Sequence, residues 1–194
     1  MRVVAVGPQD HDIIAEMAAV LVAAFAEHTP DAWPDLPSAV EEVAEALAPG
    51  KVCLAALDDD GHVLGWIGGQ HEYSLVWELH PLAVRPDSQG KGVGRALVEA
   101  LEPRVRALGA LTLRLGTEDD DGQTSLFGAD MYEDPLGKLR AIENAGRHAF
   151  GFYERLGFTI VGVIPDADGP GRHDILMAKR LQPRGPSPPT VAVE

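Results

Sequence analysis

Residues 76–101 read VWELHPLAVRPDSQGKGVGRALVEAL. From Val76 to Val84 the run is rich in β-forming and apolar residues, and Gly90, Gly92 and Gly94 then interrupt it. Beyond them apolar residues return at Val93, Ala96, Leu97, Ala100, Leu101, Val105 and Leu108, the three-to-four spacing of one helix face. The predicted order is strand, glycine loop, helix. A loop of this kind gathers unpaired N–H groups at the positive end of a helix, and without side chains an anion can approach the backbone closely. It reads either as a phosphate site or as a plain turn before an amphipathic helix. Neither the Walker ending Gly-Lys-Ser/Thr nor the dinucleotide spacing Gly-x-Gly-x-x-Gly is present.

Inside the strand, Pro81 cannot donate to a ladder, so it marks an edge, a bulge or a break. If the strand parts from its neighbour here, its freed N–H groups need partners, and the amides of a pantetheine arm could pair with them as a pseudo-strand. On ideal alternation Glu78, His80 and Leu82 share one face. Pro103 should kink or shorten the helix after the loop.

Working outward, Val3 to Val6 reads as a strand and Asp10 to Glu27 as a helix, with Ile13, Ile14, Met17, Val20, Leu21 and Phe25 on its buried stripe. Glu27 to Pro37 is proline-rich and irregular. Ser38 with Glu41 has capping-box spacing for a second helix, which Pro49-Gly50 ends. Val52 to Leu57 and Val63 to Tyr73 form two strands joined by Asp58-Asp59-Asp60-Gly61, an acidic hairpin turn without EF-hand spacing. Leu111 to Leu115 is the next strand. Gly116 to Glu143 is a long acidic insert of the kind that is functional or mobile. A helix over Gly146 to Leu156 with Ala149, Phe152, Tyr153 and Leu156 on one face ends at Gly157, and Thr159 to Ile164 and Ile175 to Arg180 close the domain. Residues 1–182 are expected to form one domain and residues 183–194 a Pro-rich disordered tail.

A net charge of −14 argues against nucleic acid and favours a cationic partner. Against that background Arg85, Lys91 and Arg95 face one local carboxylate, Asp87, a basic island suited to a phosphate-bearing ligand. The 45% hydrophobic content suffices for a core. No signal-peptide pattern is present and no apolar run reaches the roughly 18 residues of a membrane span, so a cytoplasmic protein without membrane association is expected. Cys53, the single cysteine, lies in an apolar run and reads as a core residue.

Gln89-Gly90-Lys91-Gly92-Val93-Gly94 resembles the Gln/Arg-x-x-Gly-x-Gly/Ala loop of the GCN5-related N-acetyltransferases, and Tyr153-Glu154-Arg155-Leu156-Gly157-Phe158 resembles their Tyr-x-x-x-Gly-Phe ending. Trp77-Glu78-Leu79-His80-Pro81-Leu82, Leu115-Gly116-Thr117, the run Ile160 to Pro170 and Asp174 to Lys179 are similar to the enterococcal-type aminoglycoside 6′-N-acetyltransferases, in the same order and up to about Leu181. The resemblance implies an α/β fold with a mixed, mostly antiparallel seven-strand sheet, splayed at the fourth and fifth strands and flanked by helices, with acetyl-CoA in the splay. It implies Glu78 as general base, the Leu82 N–H facing the thioester oxygen, and Tyr153 near the sulfur. Leu82, Ala83, Val84, Gln89, Gly90, Lys91, Gly92, Val93, Gly94 and Arg95 would hold acetyl-CoA, no metal would be needed, and the chain would be a homodimer. Asn144 lies nine residues before Tyr153, further than the usual asparagine of the superfamily, and carries no assigned contact.

The chemistry agrees with those roles. An amine with a pKa near 10 is almost wholly protonated at pH 7, so a base must remove its proton before nitrogen can attack a thioester. Three functions are compatible with the sequence: acetyl transfer to the 6′-amine of a polycationic aminoglycoside, acetyl transfer to another amine such as a polyamine, small metabolite or basic protein segment, and a non-catalytic acetyl-CoA-binding module. The presence of both Glu78 and Tyr153 disfavours the last.

Overall fold

The computed structural model describes residues 1–27 and 29–183. Its elements are β1 (Arg2–Ala5), α1 (His11–Phe25), α2 (Leu36–Ala46), β2 (Val52–Leu57), β3 (Val63–Tyr73), β4 (Val76–Val84), a 3-10 turn (Pro86–Ser88), α3 (Val93–Ala107), β5 (Thr112–Glu118), α4 (Pro135–Arg140), α5 (Phe150–Glu154), β6 (Thr159–Ile164) and β7 (Asp174–Arg180). Apart from Pro183, the expected tail lies outside the described residues, as does His28 of the expected irregular segment.

The seven strands form one sheet in the order β1-β2-β3-β4-β5-β7-β6. Every pairing is antiparallel except β4 with β5, which is parallel and has three rungs, Val76–Thr112, Trp77–Leu113 and Glu78–Arg114. Past Glu78 the two strands part, as the resemblance implied.

Both faces of the sheet are covered near its middle, which explains why β2 reads as an uninterrupted apolar run. Leu54 and Ala56 pack with Leu97, Leu101 and Val105 of α3, whereas Cys53, Ala55 and Leu57 pack with Met17 and Leu21 of α1 and Val43 of α2. Cys53 is a core residue, and burial pushes its thiol up to about 12.

One local irregularity positions the site. Ile67 pairs with Leu82 and Gly69 with Leu79, so His80 and Pro81 together oppose the single residue Gly68, a β-bulge. A Cβ on Gly68 would collide with the His80 carbonyl oxygen, so this crossing requires glycine. The extra residue reverses the alternation. Trp77 and Leu79 face the α3-side core before the bulge; after it Leu82 faces that core and Ala83 the α1–α2 core. Glu78 and His80 therefore share a face, but Leu82 lies on the opposite one, contrary to ideal alternation.

Other boundaries also differ from expectation. The cap of α2 is Asp35, whose Oδ1 accepts the Ser38 N–H at 3.0 Å while Ser38 Oγ accepts the Asp35 N–H at 3.4 Å, and Pro37 sits inside the first turn. Pro103 does not shorten α3, which continues to Ala107. Pro103 and Glu99 are exposed, so water can satisfy the Glu99 carbonyl, while buried Leu101 and Val105 keep the helix docked. Strand β5 extends into the acidic insert as far as Glu118. The buried Asp119 then accepts the N–H groups of Gln123 at 2.7 Å and Thr124 at 2.8 Å, and Leu126 and Met131 plug the insert into the α3-side core. Helix α5 is shorter than its apolar spacing suggests. Asn144 brackets His148, accepting its N–H at 2.7 Å and donating to its carbonyl at 2.9 Å, and His148 Nδ1 accepts the Phe150 N–H at 3.2 Å. These bonds hold the preceding residues in a loop. Among the described residues no helix is long and apolar enough to cross a membrane.

Candidate active site

The glycine loop follows β4 through the turn at Pro86–Ser88. Gly92, with φ +88°, is the N-cap of α3 and brings no side chain to it. The first N–H groups of α3 are therefore open to an external acceptor. Gly92, Val93, Gly94 and Arg95 line a cavity of about 490 Å³, together with Leu82, Val84, Gln89 and Gly90. Eight of the ten sequence-predicted cofactor residues are thus brought together. Ala83 is not among them, because the bulge turns its side chain into the α1–α2 core, and Lys91 does not line the cavity. Six lining residues were missed: Ala24, Phe25, Ser88, Ala149, Phe152 and Arg155. Arg155 could have been found as the one cation inside the Tyr153–Phe158 block of an acidic chain. Arg85 is tied to Asp87, Nε to Oδ1 at 2.7 Å, and with Ser88 it holds that carboxyl below its usual range.

The gap left by β5 exposes one edge of β4. The Arg85 N–H donates to the Leu64 carbonyl at 2.9 Å, toward β3. By alternation Ala83 also faces β3, and the N–H groups of Leu82 and Val84 point away from it into the gap. The Val84 carbonyl on that side accepts from Gln89 Nε2 at 3.3 Å.

A second cavity, of about 760 Å³, opens from the same gap and shares Ala24, Phe25, Leu82, Gln89, Ala149 and Tyr153 with the first. One wall is aromatic, with Phe25 and Trp33 packed edge to face at 4.7 Å and His80 at 6.2 Å from Trp33. His80 Nε2 lies 3.6 Å from Glu42. The other wall carries Glu118, Asp120, Asp168 and Arg172. Burial raises the Glu118 carboxyl above its usual range, and Asp174, Asp168 and Asp120 reinforce that shift against Arg172.

Tyr153 sits where the two cavities meet. Its ring packs against Phe152 and Phe158, its hydroxyl makes no hydrogen bond to any described residue, and burial pushes the phenol above its ordinary value. Glu78 is placed differently. It does not line either cavity; its neighbour Leu79 does. Its two oxygens are 3.0 Å from Arg114 Nη2 and 2.9 Å from Gln70 Nε2, and the same guanidinium also holds Glu72 of β3. Sequence reading missed Gln70, Glu72 and Arg114, which only the sheet order brings beside Glu78.

Comparison with known proteins places this arrangement. Residues 18–138 match the family described as "Acetyltransferase (GNAT) family". The aminoglycoside N(6′)-acetyltransferase type 1 of Stenotrophomonas maltophilia is 33% identical over 111 residues, covering 52% of this chain and 72% of that protein. The crystal structure of an aminoglycoside 6′-N-acetyltransferase complexed with coenzyme A is 35% identical with a TM-score of 0.87, over 96% of this chain and 100% of that one. That of the aminoglycoside 6′-N-acetyltransferase from Enterococcus faecium is 34% identical with a TM-score of 0.85, over the same shares. The family match spans well over half of the chain and includes both the glycine loop and the parting of β4 from β5, so this chain belongs to the acetyltransferase (GNAT) family and is an acyltransferase.

Proposed function

We propose that the chain transfers the acetyl group of acetyl-CoA to the 6′-amine of an aminoglycoside by direct attack in a ternary complex. The observation that carries this reading is the junction at the β4–β5 gap, where an anion-suited cavity and an acid-walled cavity share Leu82, Gln89 and Tyr153. The likeness to two aminoglycoside 6′-N-acetyltransferases over nearly the whole chain supports the acceptor class, and an acidic wall suits a polycation.

In this reading Gln89, Gly90 and Gly92 to Arg95, with Arg155, cradle the pyrophosphate, and the free edge at Leu82 and Val84 pairs with the pantetheine amides. The Leu82 N–H polarises the thioester carbonyl, a contribution of about 3 kcal/mol for a preorganised donor in comparable sites. Nitrogen attacks the carbonyl carbon, the carbon–sulfur bond breaks, and the acceptor's proton leaves. Glu78 takes that proton through water, since its carboxylate is held back from the cavity by Arg114 and Gln70. Tyr153 stays protonated at neutral pH and donates a hydrogen bond to the departing sulfur. Complete transfer from a phenol so raised to a thiolate, with a thiol pKa of about 8.5, would be uphill.

The test is thiol release across a panel of amines, with 6′-amino and 6′-hydroxy aminoglycosides side by side. Turnover of the 6′-amino compounds alone is expected. Equal turnover of both, or turnover only of spermidine or a histone peptide, would overturn the acceptor assignment.

A further inference from the structure

In the larger cavity three carboxylates converge. They are Glu118 at the end of β5, Asp120 two residues on, and Asp168 in the loop between β6 and β7, with one oxygen from each lying within 4.8 Å of the others. Arg172 is the cation that reaches them, donating Nε and Nη2 to Asp120 Oδ1 at 2.7 and 2.6 Å and Nη2 to Asp168 Oδ2 at 3.2 Å. The three acidic groups outnumber the one guanidinium among them.

Asp120 identifies where a further cation belongs. Its side chain is only 5% exposed, it lines the cavity, and its second oxygen, Oδ2, is buried without a hydrogen-bond partner. A buried carboxylate oxygen without a donor is costly, and a native fold that keeps one generally has a ligand or function for it. Burial and the nearby Asp168 raise the Asp120 carboxyl even against the pull of Arg172. Arg172 is far less committed. Its side chain is 41% exposed, and Asp31, which lines the same cavity, also attracts it, so it can leave Asp120 without being stranded.

We propose that Glu118, Asp120 and Asp168 form a second ammonium subsite in the acceptor cavity, filled by Arg172 in the free protein and taken over by a second amine of the bound acceptor. This rests on the reading that the acceptor is a polycationic amine. An ammonium has three donors and no acceptor, which matches three carboxylates in number and kind. The resident group is itself a nitrogen donor at hydrogen-bond distances, which favours ammonium over a divalent metal ion. Arg172 then acts as an internal competitor. An acceptor with one positive charge gains little by displacing it, whereas one with several can fill this subsite and still present its reacting amine at the gap between β4 and β5.

The two ends of the exchange give opposite signs. In steady-state kinetics with tobramycin, Asp120→Asn should raise KM about ten-fold, the loss of one charge-assisted contact. Arg172→Gln should lower it several-fold, a direction that mere loss of structure would not give. Neither should move KM for acetyl-CoA beyond two-fold. Calorimetric titration of tobramycin into the same proteins should show the same order of affinities whether or not turnover follows. A higher tobramycin KM in Arg172→Gln, or an unchanged one in Asp120→Asn, would overturn the subsite while leaving the aminoglycoside reading intact. Binding in this order without acetylation would overturn that reading and leave the subsite standing. Tight binding of Mn²⁺ that Asp120→Asn abolishes, with tobramycin affinity unmoved, would make the cluster a metal site and end the proposal.

Discussion

Glu78 and Arg114 stand opposite each other on the last rung that joins β4 to β5, with Nη2 of the guanidinium 3.0 Å from a carboxylate oxygen. The proposed base is therefore anchored where the gap begins, and Arg114 ties it to Glu72 across β4. Glu78→Gln keeps the shape and the Gln70 neighbour but removes the proton acceptor. We expect kcat/KM for the acceptor to fall about a hundred-fold, most steeply at low pH where the ammonium holds its proton hardest, with KM for acetyl-CoA almost unchanged. Activity equal to wild type across the pH range would remove Glu78 from the mechanism.

Tyr153→Phe should separate chemistry from stability. The hydroxyl makes no hydrogen bond to a described residue, so its removal should leave the melting temperature within about 1–2 °C of wild type. The rate of thiol release in a single turnover should fall about ten-fold if the hydroxyl supports the departing sulfur. Unchanged single-turnover rates would make Tyr153 a packing residue.

Asp119 and Asp120 are adjacent in sequence and should respond differently. Asp119→Ala strips the buried Thr124 N–H and the part-buried Gln123 N–H of their acceptor and should cost about 3 kcal/mol in urea unfolding. Asp120→Asn should, besides raising aminoglycoside KM, flatten its rise with salt, a rise that in the wild type should exceed that for acetyl-CoA. A salt response lost equally in both variants would mean that the acidic wall acts only through folding.

The Glu118 carboxyl is raised in the folded chain by burial, with help from Asp174, Asp168 and Asp120. A carboxyl raised on folding binds its proton more tightly in the native state. Its contribution to stability is complete below the unfolded value of about 4.3 and is lost as pH rises through the higher folded value. Glu118→Gln should therefore raise the melting temperature at pH 7–8, with the gain fading toward pH 4, while aminoglycoside KM increases. A gain independent of pH would show that charge is not its origin.

Gly92 at φ +88° cannot be replaced without strain. Gly92→Ala should cost about 1–2 kcal/mol and raise KM for acetyl-CoA, and Arg155→Ala should raise the same KM without the loss of stability. Parallel melting curves and acetyl-CoA titrations distinguish the two.

Much of the frame was legible because its signals are local. The apolar runs of β2, β3 and β4 have the boundaries that their composition implies, and Gly90 and Gly92 mark the loop because only the backbone conformation found there demands them. What escaped depends on contacts distant in sequence. The bulge at His80 and Pro81 is invisible to alternation, which assumes that no residue is extra, and so Leu82 was expected on the wrong face. The short α5 results from the bonds of Asn144 and His148, which outcompete the helix that the apolar spacing suggests. Asp120 and Arg172 meet only because β7 lies beside β5.

The three-rung joint between β4 and β5 has a consequence for breathing. It is the only backbone ladder connecting β1–β4 to β5, β7 and β6 among the described residues, so the sheet consists of two plates joined along a seam at one end. Beyond Glu78, β4 has no strand across the gap to slow the exchange of its amide hydrogens. In deuterated water the amides of Leu82 and Val84 should exchange long before that of Ala83, which faces β3, although all three belong to the same central strand. Acetyl-CoA laid along the gap should then act as the missing strand and erase the difference.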